Sequence, residues 1–265
     1  MRIKSLNSQA LLETSCFFAF SGLILYLLVT GKYLTYVTPR TKPYLYFSAV
    51  VMMVWAISNM GKIRRPQHIT RVMHCLVFAV PMILILLPHS PLDASSVLTA
   101  YAGGGSVPGM TSTSDDPQGA IDNYGEEEAQ SVLPVATDLP GIDAAKKRID
   151  IPNDLFYEWL SELFTNTDAY EGYTVSMTGY VLKDPVYFGE NEFVPARLAM
   201  TCCVADLVPV GMICVYDNLE ALQEESWVTV EGILFKGTYL GEIEPQLSVT
   251  RVDPASALEG YVYAY

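Results

Sequence analysis

The chain has 265 residues, a formal net charge of −13 and a hydrophobic fraction of 51%; the length allows one or two domains. The charge is split: residues 1–87 hold nine Lys/Arg and one acid, Glu13, whereas residues 88–265 hold seven Lys/Arg and 28 acids. Two parts of such opposite balance belong in different surroundings, and the acidic part argues against nucleic acid as a partner because phosphates would be repelled.

Three apolar segments come first: residues 11–29, 44–60 and 72–87. A bilayer core needs about 20 mostly apolar helical residues, with a range of about 17–25. The first segment fits directly, and the others fit if their polar ends reach the interface. They predict three transmembrane helices rather than a cleaved leader. Pro81 in the third predicts a packing kink. Arg2 and Lys4 precede the first span, Lys32, Arg40 and Lys42 lie in the first loop, and Lys62, Arg64, Arg65 and Arg71 lie in the second. Placing the N-terminus and second loop inside puts six of these charges in the cytoplasm and three outside, so the large acidic part is expected outside. Arg40 is then an interfacial anchor.

Residues 92–149 are rich in Gly, Ser, Thr, Pro and acids and read as a flexible acidic tether. The run Glu126 to Glu128 reads as solvated charge. A periodic pattern then begins. Leu155, Phe156, Trp159, Leu160, Leu163 and Phe164 form one face of an amphipathic helix. Pro152 suits its first turn. Five β-rich runs follow, at residues 173–183, 193–203, 208–216, 226–237 and 245–252. Gly179, Gly211 and Gly232 fall inside them, where glycine marks bulges or sharp bends. One helix and five bent strands predict a small closed barrel of the OB type, with a β-sandwich as the second choice. The aromatic, acidic end "EGYVYAY" reads as a solvated tail.

The chemistry-bearing residues cluster in "RLAMTCCVADLVPVGMIC", which holds Arg197, Cys202, Cys203, Asp206 and Cys214. Thiolates are soft ligands for zinc and similar ions. Neighbouring side chains on a regular strand point to opposite faces, so both sulfurs reach one ion only if the chain turns at Cys203. "Val-Ala-Asp" supplies a turn and Asp206 an oxygen ligand. Cys214 is a candidate fourth ligand across the hairpin, since structural zinc takes four. Arg197 could orient the strand, pair with Asp206 or lower a thiol pKa. Two other readings stand beside this one: cysteines packed as small hydrophobes, and a disulfide or redox pair from Cys214 to one of the two. His68, His74 and His89 are scattered, with no zinc-protease spacing. There is no nucleophile–base pair, phosphate loop or Gly-x-Ser-x-Gly, so no enzyme is expected.

These residues resemble the YcgQ-like subunits of bacterial two-component permeases. The resemblance lies in "TGKYLTYVTPRTKP" between the first two spans, in "PHSPL" after the third, in "RLAMTCCVAD" as an R-x-x-M-x-C-C-x-A-D box, and in the tryptophan-led "SWVTVEGIL". It covers nearly the whole chain except the linker. Relatives carry His-rich stretches between spans, which this chain lacks. The resemblance implies a partner, a polytopic permease of the YcgR type, similar to organoarsenical and metal-linked permeases.

The expected organisation is a membrane anchor over residues 1–91, a linker over 92–149, an OB-like domain over 150–253 and a tail over 254–265. The expected role is an accessory, multi-pass membrane subunit of a permease that handles a metal or metalloid, zinc or another soft ion, at Cys202, Cys203, Asp206 and Cys214. An assembly module with structural cysteines and a membrane-tethered thiol redox protein are the alternatives.

Overall fold

A computed structural model describes residues 7–63, 139–184 and 187–264, together with scattered positions between 77 and 87. The chain divides into two compact units. One is Met1–Pro91 with the tripeptide Cys202–Val204; the other is Leu92–Thr201 with Ala205–Tyr265.

In the first unit, helices α1 (Ser8–Thr30) and α2 (Lys42–Met60) form an antiparallel pair. The Asn7 side chain caps α1 by accepting from Ala10 N–H at 3.1 Å, and Gly31 ends it with φ 74, the left-handed conformation that glycine adopts without strain. At about 1.5 Å per residue, both helices approach or exceed the roughly 30 Å of a hydrocarbon core. They are long and apolar enough to cross a membrane, by length and composition. Their contact is built from small residues. Ser21, Ala49 and Ala56 are buried, and Ser21 Oγ donates to the Ala49 carbonyl at 2.9 Å across the pair. Small side chains let the backbones approach, which drives helix pairing where no hydrophobic force operates. Phe17 meets Trp55 edge-on at 5.9 Å, and Asn7 N–H reaches the Ile63 carbonyl at 2.9 Å. The third expected span, residues 72–87, lies largely outside the described residues, as do the His residues and Cys75.

The second unit is mainly β. Its strands are β1 (Ile142–Asp143), β2 (Arg148–Asp150), β3 (Thr174–Leu182), β4 (Glu192–Met200), β5 (Val208–Val210), β6 (Ile213–Val215), β7 (Trp227–Tyr239), β8 (Glu242–Pro254) and β9 (Val262–Tyr263). Five of them pair into a closed ring in the order β3, β7, β8, β6, β4 and back to β3. Neighbours run antiparallel except β6 and β8, which are parallel. Two glycines permit the bending. Gly232 sits at the register shift between β7 and β8, and a Cβ on Gly179 would come within 2.5 Å of the Pro195 backbone in β4. The tight β7–β8 turn places Leu240 at φ 50 and Gly241 at φ 94, as a primed hairpin turn requires.

Helix α3 (Phe156–Thr165) buries Phe156, Tyr157, Trp159, Leu160 and Leu163. This is the expected face, and it joins the core formed by Val175, Met177, Phe193, Met212, Val230 and Leu247. Helix α4 (Thr167–Tyr170) follows it. The sheet also takes in residues that the sequence assigns to the linker and tail. Within 139–149, Ile149 is fully buried, β2 pairs in parallel with β3, and Trp159 Nε1 donates to the Pro140 carbonyl at 2.9 Å. At the other end, β9 pairs with the end of β4, and Val262 and Ala264 are buried. Apolar burial and ladder hydrogen bonds thus hold segments whose acidic or basic flanks look solvated. The rest of the expected tether, residues 92–138, lies outside the described residues.

Gly179→Ala should weaken the β3–β4 closure, because the new methyl meets main chain that cannot swing aside. The expected loss is about 2 kcal/mol, read as a lower urea midpoint with unchanged slope. An unchanged midpoint would mean that the two strands do not approach this closely.

Candidate functional site

Strand β4 runs straight into the cysteine pair, and three neighbours fix its end. Arg197, Leu198 and Ala199 pair with Val210, Pro209 and Val208 of β5, while Ala199 and Met200 pair with Val262 and Tyr263 of β9. Ala264 N–H donates to the Met200 carbonyl at 3.2 Å. Pairing stops there and the chain turns. Val204–Asp206 forms a single turn of 3-10 helix, and Thr201 N–H donates to Asp206 Oδ1 at 3.0 Å. The carboxylate therefore folds back over the four residues between.

The turn solves the problem set by strand geometry. Cys202 and Cys203 bring their sulfurs to 3.6 Å. Together with Asp206 they present three ligand atoms that lie within 4.8 Å of one another. Two sulfurs about 2.3 Å from one zinc ion at a tetrahedral angle lie about 3.8 Å apart, so the observed separation suits a shared soft ion. Cys202 is exposed, and Cys203 and Asp206 are half-buried. A water-accessible thiol can ionise and bind metal, whereas one sealed in apolar surroundings stays protonated.

Cys214 illustrates the second case. It lies in β6 in the core, fully buried, with its sulfur 3.6 Å from the Met212 carbonyl. Burial pushes its thiol well above the usual range. It stands apart from the three-residue group. Arg197 is also buried. Its Nη1 donates to the Asn153 carbonyl at 2.6 Å, and its guanidinium stacks over the Phe156 ring at 5.2 Å. Burial alone pulls its pKa down. Its charge thus ties β4 to the start of α3, and Asp206 takes its oriented hydrogen bond from Thr201 instead. Arg40 lies in the 3-10 turn Pro39–Thr41, exposed.

Two participants were not visible in the sequence. One is Thr201, whose part is played by its main-chain N–H. The other is the loop joining α1 and α2. Val37 bridges Cys203 in antiparallel fashion, Thr38 N–H donates to the Cys202 carbonyl at 3.3 Å, and Val204 N–H donates to the Tyr36 carbonyl at 2.9 Å. These are main-chain bonds, and any residue except proline could supply the donors.

The chain matches two family models. The DUF1980 N-terminal domain covers residues 12–102 and the DUF1980 C-terminal domain covers residues 128–264. Together they are consistent with a YcgQ-like family. No curated protein matches the chain.

Arg197→Met should cost about 2 kcal/mol of stability, because a buried charge-assisted hydrogen bond is lost. It should leave the alkylation rates of Cys202 and Cys203 unchanged. A rate change in either cysteine at unchanged stability would give Arg197 a direct part in the thiol site.

Proposed function

The chain belongs to the DUF1980 family, and from that premise we propose that it is a non-enzymatic accessory subunit of a two-component membrane permease, handling a soft metal or metalloid ion at Cys202, Cys203 and Asp206. The observation that carries the reading is the convergence of two thiols and one carboxylate at a turn. Three protein ligands are one short of a closed structural zinc site and leave a coordination position open for water or for exchange. That suits an ion that is passed on better than one that is kept. Cys214 is left out of the ligand set, because a buried, protonated thiol cannot serve as a thiolate.

In this reading three helices anchor the subunit, with the N-terminal side of the first in the cytoplasm. The main support for a third crossing is topological. Tyr36–Thr38, in the loop after α1, pairs with Cys202–Val204. If both segments lie on one side of the membrane and α1 and α2 each cross it, a further crossing, at residues 72–87, completes the path, and this supports the three-helix reading. The ring of β3, β7, β8, β6 and β4, with its single parallel closure, supports a small barrel of the OB type. The partner is proposed to be a polytopic permease of the YcgR type, docked through the helices.

The test is a zinc titration of the reduced full chain in detergent, against a competing chelator. One ion per chain is expected, and Cys202→Ser with Cys203→Ser should abolish binding while near-ultraviolet circular dichroism stays native. Undiminished zinc uptake by a folded double variant would sink the ion reading and leave an assembly module.

A further inference from the structure

The paired main chains of Tyr36–Thr38 and Cys202–Val204 do more than report topology. The two cysteines leave the sheet at Met200, and the 3-10 turn begins at Val204. Between these points a main-chain bond lies on each side of the pair: Thr38 N–H on the Cys202 carbonyl at 3.3 Å and Val204 N–H on the Tyr36 carbonyl at 2.9 Å, with Val37 facing Cys203 between. The loop is itself stiffened from within. The Tyr33 carbonyl accepts from Tyr36 N–H and Val37 N–H, both at 3.0 Å. The Thr38 carbonyl accepts from Thr41 N–H at 3.0 Å and from Thr41 Oγ1 at 2.8 Å. Tyr33 and Thr38 are buried. A preorganised loop can impose its shape on a short tripeptide, which lowers the ordering cost of forming a chelate.

We infer that Tyr36–Thr38 is a backbone clamp that holds Cys202 and Cys203 in the chelating conformation, so that ion occupancy and loop engagement are coupled. The inference rests on the ion reading for its consequence, though the clamp itself does not need an ion. Coupling of this kind is reciprocal: whatever the loop adds to ion affinity, the ion adds to loop engagement. Val37 and Thr38 are positioning residues, acting through the cysteine main chain.

Thr38 offers a clean substitution. Its φ of −68 and ψ of 156 already suit proline, so Thr38→Pro removes the N–H while keeping the turn, and Thr38→Val removes only the hydroxyl. Two readouts are needed on the reduced full chain in detergent. The first is capture of both thiols by phenylarsine oxide, a trivalent arsenical that needs a chelating pair. The second is zinc affinity. Thr38→Pro should weaken both, by about fivefold for one lost hydrogen bond, and Thr38→Val should match the wild type. Equal capture by the proline and valine variants would overturn the clamp. If the wild type binds no zinc yet capture still differs between the variants, the clamp stands and the ion reading fails. If zinc binds equally to all three and capture is equal, the ion reading stands and the clamp fails.

Discussion

Two adjacent residues of a strand cannot face the same ion, and the site depends on how the chain escapes that rule. The escape is a six-residue turn, Thr201 to Asp206, closed by a hydrogen bond from Thr201 N–H to the Asp206 carboxylate. That bond ends the strand, starts the 3-10 turn and carries the Asp206 carboxylate to the same place as the two sulfurs. A charge-assisted bond of this sort is stronger than a neutral one, and it fixes ligand and turn together. The rest of the second unit serves to bring β4 to that point with its last residues held on both edges, by β5 and β9.

The core supplies the rigidity. Trp159, Phe156 and Phe193 are among the largest fully buried side chains, and each such residue contributes roughly 1.5–3 kcal/mol by leaving water. Arg197 works in the same service: it stacks on Phe156 and binds the chain just before α3. The Cys202–Cys203 pair follows a strand end held on both edges and precedes a closed turn. Cys202 is exposed, whereas Cys214 packs in the core.

Much of this is written locally in the sequence. The apolar face of α3 follows from residues spaced at helical period, and the bulge at Gly232 from a glycine inside an alternating strand. The turn at "Val-Ala-Asp" follows from the need of two neighbouring thiols to converge. What is not legible is long-range and carried by main chain. β1, β2 and β9 are two or three residues long, too short to show a period, and charged neighbours hide Ile149. The choice of Asn153 by Arg197 spans 44 positions, and no spacing rule foretells it. The "TGKYLTYVTPRTKP" segment stands out by resemblance, but its pairing with the cysteine box uses amides that every residue but proline has. The three tyrosines of "YVYAY" alternate, and that alternation is the available sign of a last strand.

The central claim is that Cys202, Cys203 and Asp206 share one ion. X-ray absorption at the zinc edge of the zinc-loaded, reduced full chain tests it most directly. The account predicts two sulfur neighbours at about 2.3 Å with the remaining oxygen or nitrogen neighbours at about 2.0–2.2 Å. A first shell of oxygen and nitrogen alone would contradict it, and would place the ion on the acidic surface away from the cysteine turn.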